Sequence, residues 1–159
     1  MRYAKYAGIF LVFGMLSCDA GNEPDIQGTK LKAMTGEWWI VISSGGDTFP
    51  GYHLITTSNT AANNETDLLL DDGELWPAKV VTKVNLAAMT FDAASNLSNM
   101  YDDSIAVSIT EGKILKNAAT TTGGNKTDSI YVQFEFSDDP GTKYEYAGYR
   151  RTGFREDEH

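Results

Sequence analysis

This sequence of 159 residues contains little cysteine, histidine, proline or basic charge. It has one cysteine, Cys18, two histidines, His53 and His159, and four prolines. A single cysteine excludes an intramolecular disulfide, so burial of apolar surface must stabilise the fold. Lys and Arg number 13 against 22 Asp and Glu, a net charge of −9. This acidic balance argues against nucleic acid as a partner, because nucleic acid binds basic surfaces.

Long hydrophobic runs are also missing. The longest, residues 7–16, is too short to cross a bilayer core, which needs roughly 20 apolar residues. It follows Arg2 and Lys5 and leads to Ser17 and Cys18, an arrangement typical of a secretory signal. Leu16-Ser17-Cys18 resembles a bacterial lipobox, in which the cysteine is acylated and becomes the new N-terminus. We therefore predict a lipoprotein signal peptide at residues 1–17 and lipid attachment at Cys18. A plain signal peptide with a coincidental cysteine is the alternative.

The remaining 142 residues are about enough for one domain. Because Arg2 and Lys5 leave with the signal, 11 basic and 22 acidic residues remain, a net charge of −11. Residues 18–30 are mostly polar and predict an acylated flexible tether before a barrel domain at 31–159. Asp19, Glu23 and Asp25 resemble the surface-export signal of Bacteroidetes lipoproteins, although a solvated tether would have the same composition. We predict an outer membrane lipoprotein anchored by acyl chains, on either face of that membrane.

The folded part reads as short strands separated by polar turns. Apolar residues alternate with polar ones, which is the period of a half-buried strand. We predict strands at 37–42, 51–57, 67–70, 78–86, 89–92, 104–110, 114–115, 129–136 and 143–152. A hairpin is predicted at Glu111-Gly112-Lys113 and a turn at residues 138–141, and residues 86–89 could be helical.

This pattern predicts an all-β fold, either a closed barrel or a sandwich. The first and last strands are both long and regular, and an open edge of that kind invites aggregation. The prediction is therefore an antiparallel up-and-down β-barrel of about eight strands.

One motif adds detail to that barrel. Gly36-Glu37-Trp38 begins the first strand and Arg150 lies on the last. This combination resembles the calycin superfamily, which includes the lipocalins, where a cation covers the tryptophan and closes one end of the barrel. Arg150 shares its face with Tyr144 and Tyr146, so the resemblance assigns the closing role to Gly36, Trp38 and Arg150. The alternative is an ordinary core tryptophan with solvated arginines.

A longer series of segments resembles one family, the lipid-binding putative hydrolases, which are small calycin-like lipoproteins of Bacteroidetes. The resemblance covers about residues 33–158. It implies a barrel fold and a small hydrophobic or lipid-like ligand, and it carries over no catalytic residue. The segments are 59–62, 112–115, 128–131, 136–140, 156–158 and, most distinctive, Gly148-Tyr149-Arg150-Arg151-Thr152-Gly153-Phe154.

The residues themselves do not support catalysis. Acyl transfer by a serine needs a base, usually histidine, and only His53 is internal; its alternation with Tyr52 and Leu54 favours an outward position. No Gly-x-Ser-x-Gly motif occurs. The carboxylate pairs all coincide with turn signals, where Asp bonds its own backbone. We predict no catalytic residue, no metal and no cofactor. The carboxylates that coincide with turn signals are Asp71, Asp72, Glu74, Asp102, Asp103, Asp138 and Asp139.

An eight-stranded barrel is either filled by its side chains or holds one small ligand. The predicted lining is Trp38, Ile40, Val80, Val107, Phe134 and Tyr146. Three functions stay open. In the first, the protein binds a small hydrophobic ligand inside the barrel. In the second, the barrel is filled and an outer aromatic face (Trp39, Tyr131, Tyr149) binds an envelope protein or glycan. In the third, the protein hydrolyses a lipid-like or ester substrate.

Overall fold

The computed structural model describes residues 28–73 and 75–159. The predicted signal peptide, Cys18 and most of the predicted tether lie outside these residues, as does Glu74. The described residues form ten strands and a short 3-10 helix, Arg155–Asp157. The strands are β1 Gly36–Ser44, β2 Asp47–Thr48, β3 His53–Asn59, β4 Asp67–Asp71, β5 Lys79–Asn85, β6 Thr90–Phe91, β7 Ala94–Leu97, β8 Val107–Thr120, β9 Lys126–Phe136 and β10 Asp139–Arg150.

Eight of these strands close into an antiparallel barrel. Their order around the ring is β1, β3, β4, β5, β6, β8, β9 and β10, and β10 pairs back with β1. In the pairing of β1 with β10, Trp38 lies opposite Arg150 and Ile42 lies opposite Tyr146. The two remaining strands, β2 and β7, are additions to β1 and β8. The predicted calycin-like barrel is therefore confirmed.

The direction of the strands gives the barrel two different ends. One end, which we name the Arg150 end, carries the start of β1, the end of β10, the N-terminal turn at 29–34 and the loops 60–66, 86–89 and 121–125. The opposite end, which we name the Trp76 end, carries the loops 45–52, 72–78, 98–106 and the turn between β9 and β10.

The core follows the predicted alternation. On β5, Val80, Thr82 and Val84 are buried between more exposed neighbours, and β9 alternates in the same way from Ile130 to Phe136. Leu31 and Met34 of the N-terminal turn are fully buried and close the core at the Arg150 end. Within the described residues, no helix is long and apolar enough to cross a bilayer.

Three local predictions are wrong. The hairpin at residues 111–113 does not exist, because β8 runs unbroken from Val107 to Thr120. Gly112 serves a different purpose there: a Cβ at this position would lie 2.8 Å from atoms of the Phe91 ring. A glycine inside a strand often marks such a close approach.

The other two errors concern turns. Residues 86–89 form a turn, not a helix, and Met89 has a φ of +57°. The turn between β9 and β10 lies at Ser137 and Asp138 and overlaps the predicted turn, residues 138–141, only at Asp138, so Pro140 and Gly141 belong to β10. The pairing register shifts between Asp139 and Tyr144, and this irregularity accommodates the extra residues.

Candidate functional site

Trp38 and Arg150 close one end of the barrel. Trp38 is fully buried, and its indole Nε1 donates to Thr57 Oγ1 at 2.8 Å. The Thr57 hydroxyl in turn donates to the Met34 carbonyl at 2.7 Å. The Arg150 guanidinium carbon lies 4.3 Å from the centre of the Trp38 ring, a cation–π geometry.

The Arg150 guanidinium also ties the N-terminal turn to the barrel. It donates to the carbonyls of Thr35 and Ala33, the latter at 3.3 Å, and its Nε donates to Asp128 at 3.2 Å. Burial disfavours the charge of Asp128, but hydrogen bonds from Lys116 and Asn117, together with the Arg150 charge, lower its pKa. A Cβ on Gly36 would lie 2.2 Å from Arg150 Nη1, so the guanidinium occupies the space of a side chain at this position.

The barrel interior is densely packed. All six residues of the predicted lining have zero accessible surface, so no space as large as a water molecule touches them. Phe134 and Tyr146, at the middle of this interior, meet edge to face with ring centres 4.8 Å apart. A ligand could reach these six residues only by displacing side chains around them. They are Trp38, Ile40, Val80, Val107, Phe134 and Tyr146.

Aromatic side chains cover the Trp76 end. Trp76, on the 72–78 loop, is 38% exposed and packs against Phe49 and Tyr144, with ring centres 5.7 and 5.0 Å away. Tyr144 in turn meets Phe136 at 5.4 Å. The core of the barrel thus continues to the surface at this end through a chain of aromatic rings.

A small cleft opens beside Trp76 where three connections meet. Its volume is about 80 Å³. Apolar atoms make up most of its surface, and two carboxylates stand at its rim. Its lining residues are Trp76, Pro77, Asp102, Ile105, Phe136 and Asp138.

Asp72 anchors the loop that carries Trp76. The Asp-Asp-Gly sequence predicts a solvated turn, whereas Asp72 is 1% exposed. Its Oδ1 accepts the Ala78 N–H and its Oδ2 accepts the Trp76 N–H, both at 3.0 Å, and Tyr146 donates its hydroxyl to Oδ2 at 3.2 Å. Burial raises the pKa of Asp72, and these hydrogen bonds offset that effect only in part. The carboxyl therefore holds the loop against the barrel interior.

The other candidate polar residues are scattered. His53 pairs with the buried Ile40 across β1 and β3, so it lies on the inner side of the sheet, not the outer side as predicted. Asp71 accepts from Tyr101 at 2.6 Å and pairs with Lys79 at 2.8 Å. Asp139 accepts from Tyr144 at 2.8 Å, while Asp103 is exposed. Among the described residues, no group of three or more His, Cys, Asp or Glu side chains could hold a metal ion.

The predicted outer aromatic face is mostly covered. Trp39 is 8% exposed and Tyr149 is 5% exposed, because the C-terminal residues lie over them. His159 stacks on Tyr52 at 3.8 Å, meets the edge of Trp39 and bonds the Tyr149 hydroxyl at 2.5 Å. Tyr131 bonds Glu145 at 3.1 Å. Two of the three side chains of the predicted outer aromatic face, Trp39 and Tyr149, are therefore not available to a partner.

A larger depression of about 420 Å³ lies on the outer wall near the Trp76 end. Its surface is mainly polar, and Gln133 and Glu145 at its floor bond each other at 3.2 Å. The lining residues are Ser44, Gly45, Gly46, Gln133, Gly141, Thr142, Lys143 and Glu145. None of these residues has an apolar side chain, so this polar groove is poorly suited to a hydrocarbon chain.

The sequence pattern did not predict that Trp76, Ile105 and Phe49 cover this end of the barrel, or that Asp72 is buried. A signal was available: Leu75-Trp76-Pro77 is an apolar run inside an otherwise polar turn. A tryptophan in such a turn indicates that the turn folds over apolar surface.

The fold and the closed end define a calycin-like barrel with an aromatic cover at its opposite end. The sequence matches the family described as lipid-binding putative hydrolase over residues 23–155, and the protein belongs to this family. Among solved structures, it is similar to a Bacteroides ovatus protein described as a structural genomics protein of unknown function, with 14% identity and a TM-score of 0.42. The similarity covers 76% of this chain and 43% of that one, so the chain spans less than half of that protein. No curated protein matches the chain.

Proposed function

We propose that the protein is a non-catalytic, acyl-anchored envelope lipoprotein that binds a small hydrophobic or lipid-like ligand at the Trp76 end of its barrel. The observation that carries the proposal is the half-exposed Trp76 beside an apolar cleft that leads to the barrel core. Membership of a lipid-binding family supports the ligand class. The Leu16-Ser17-Cys18 motif supports the anchor.

The two ends of the barrel are suited to different roles. At the Arg150 end, buried hydrogen bonds and a cation–π contact fix the N-terminal turn in place. At the Trp76 end, the cover is a loop held by the Asp72 carboxyl and by ring contacts. A ligand therefore enters more easily at the Trp76 end than at the Arg150 end.

Binding requires the Trp76 end to open further than it does in this structure. Ligand pockets usually measure roughly 300–1,000 Å³, whereas the cleft measures about 80 Å³. We propose that the loop carrying Trp76 moves outward and that the ligand's hydrocarbon chain inserts between Trp76 and the rings of Phe49 and Tyr144, so that Trp76 packs against the bound ligand. The six fully buried residues deeper in the barrel stay packed.

Titration with an environment-sensitive hydrophobic probe tests this proposal. We expect Trp76→Ala to weaken probe binding at least tenfold, because truncating a central aromatic contact commonly costs about 2 kcal/mol. Leu115→Ala is the matched control, since Leu115 is 49% exposed and lies away from the cleft on β8. Equal binding by both variants would contradict a site at the Trp76 end. We also expect the unmodified protein to hydrolyse no ester substrate under the same conditions.

The filled interior favours a second function. In this alternative the protein is an accessory surface lipoprotein that contacts an envelope protein or glycan, and the polar groove on the outer wall is the surface available for it. It predicts that hydrophobic probes do not bind and that Gln133→Ala, on the groove floor, weakens capture of that partner.

A further inference from the structure

The cleft beside Trp76 is apolar, but the charges at its rim have one sign. Asp102 and Asp138 both line it, and no basic residue of the described chain does so. Asp102 is half-buried and Asp138 is exposed, so both carboxylates reach water at the mouth of the cleft.

Neither carboxylate is neutralised by a cation of the described residues. Oδ1 of Asp102 accepts both the backbone N–H of Ser104 at 2.9 Å and its hydroxyl at 2.6 Å, which leaves Oδ2 available. These bonds from Ser104 lower the pKa of Asp102, so the group is charged at neutral pH. Asp138 forms no hydrogen bond or ion pair in the described structure.

The lysines and arginines that could neutralise these carboxylates are engaged elsewhere. Lys79 pairs with Asp71 at 2.8 Å and lies 5.4 Å from the centre of the Tyr101 ring. Lys143 lines the polar groove on the outer wall, and Arg150 and Arg151 are at the opposite end. Asp47, Asp103 and Asp139 add further negative charge to the connections around the cleft.

We infer that the ligand of this cleft is a single-chain amphiphile with a protonated amine, whose hydrocarbon chain lies against Trp76, Ile105 and Phe136 and whose ammonium lies between Asp102 and Asp138. This inference rests on the proposed function and names its ligand class. Charge complementarity selects the amine: a fatty acid would bring its carboxylate to two carboxylates, and an uncharged alcohol would gain no ion pair. A primary amine has a pKa near 10.4 and is charged at neutral pH.

Three photoreactive probes of equal chain length test the inference: an alkylamine, an alkanol and an alkanoate, each with a diazirine near the end of its chain. The full chain in nanodiscs is irradiated with each probe at low ionic strength, and the labelled peptides are identified by mass spectrometry. We expect the amine to label peptides containing residues 75–77, 102–105 and 134–138 with roughly tenfold higher apparent affinity than the alkanol. The alkanoate should bind more weakly than both, and 1 M salt should reduce the preference.

Isosteric variants identify the groups responsible. Asp102→Asn with Asp138→Asn should reduce the amine's affinity to that of the alkanol and leave the alkanol unchanged. Asp47→Asn with Asp103→Asn is the control, because it removes the same net charge from the same end without touching the cleft lining. The control should retain the preference for the amine, and alkanol labelling of every variant shows that the barrel is folded.

The outcomes separate the two proposals. Equal labelling of the cleft by all three probes, or a preference for the amine that survives loss of Asp102 and Asp138, overturns the inference and leaves the hydrophobic site in place. Absence of labelling at these peptides by any probe overturns both.

Discussion

Arg150 occupies the space in which a side chain on Gly36 would lie. The guanidinium passes over the Trp38 ring at 4.3 Å and reaches carbonyls of the N-terminal turn. Gly36 also has a φ of +154°, at the edge of the region that favours glycine. The Gly-x-Trp pattern thus has a physical cause: the glycine leaves room for the cation that covers the tryptophan.

Gly36→Ala should therefore destabilise the barrel by roughly 1–3 kcal/mol, the usual cost of overpacking. Most of this cost should depend on Arg150, since the new Cβ would lie 2.2 Å from its Nη1. Urea denaturation of Gly36→Ala, Arg150→Ala and the double variant measures the coupling between them. If Gly36→Ala costs the same with and without Arg150, steric conflict with the guanidinium is not the reason for the glycine.

The side of the sheet on which a residue lies was predicted correctly at most strand positions, with His53 at the start of β3 as an exception, whereas predictions in loops failed. The alternation around Tyr144 and Tyr146 is enough to assign a side of the sheet, because successive strand residues face opposite sides. Asp72 had no such pattern. An Asp-Asp-Gly turn looks the same whether its carboxyl meets water or accepts buried N–H groups, and only the path of the 72–78 loop decides between them.

Strands were predicted well as elements because burial on one side imposes a period of two along them. The long strand β8 is an exception, because its middle was predicted to be a turn. Glu111-Gly112-Lys113 has the composition of a hairpin turn, but Gly112 stays in the strand, where its missing side chain makes room for the Phe91 ring. Turn composition and a tight packing site both select glycine, so local sequence could not distinguish them.

The C-terminal segment is the element whose position the sequence revealed least. Asp157, on the 3-10 helix, has no accessible surface and accepts bonds from Gly123 N–H at 2.9 Å, Asn125 at 3.0 Å and Thr152 at 2.6 Å. These contacts bring the segment onto the loop between β8 and β9. They depend on pairing across 34 residues of sequence, which a local pattern does not encode.

We expect Asp157 to make stability depend on pH in the acid range. Burial alone would raise the pKa of Asp157, but hydrogen bonds from Thr121, Thr152, Asn125 and Gly123 lower it from 3.8 to about 2. A lowered pKa in the folded state stabilises the fold above the unfolded value, and the stabilisation disappears as pH falls from about 4 towards 2.

Thermal denaturation between pH 2 and 7 checks this expectation. Asp157→Asn should lower the melting temperature at pH 7 and should lose less stability than the unmodified protein on acidification. Asp103→Asn, at an exposed aspartate, is the control and should keep the unmodified pH profile. Parallel pH profiles for the unmodified protein and Asp157→Asn would contradict the role of this carboxylate.

At the scale of the whole molecule, closure of the barrel was predictable from its first and last strands. β1 and β10 are long and lie next to each other, so neither leaves an open edge. The packing of the interior was not predictable, because alternation shows which residues face inward but not whether their volumes fill the space between them. The packed interior locates the candidate site at one end of the barrel.

The proposed acyl anchor at Cys18 is a separate prediction for the whole chain. We expect Cys18→Ala to move the protein from the membrane fraction to the soluble fraction, because acyl chains on Cys18 would otherwise hold it to the bilayer. Ser17→Ala is the matched control, since it keeps a small residue beside the cysteine, and it should stay with the membrane. Immunoblotting of fractionated cells gives the distribution. Retention of Cys18→Ala in salt-washed membranes would contradict acyl anchoring.

The central claim is that a lipid-like ligand occupies the Trp76 end of this barrel. Native mass spectrometry of the full chain purified from its own cells, with extraction of non-covalently held lipid, tests it most directly. The account predicts a single-chain lipid on the unmodified protein and on Leu115→Ala, and its loss from Trp76→Ala. Ligand-free protein in all three samples, or the same lipid retained equally by Trp76→Ala, would contradict it.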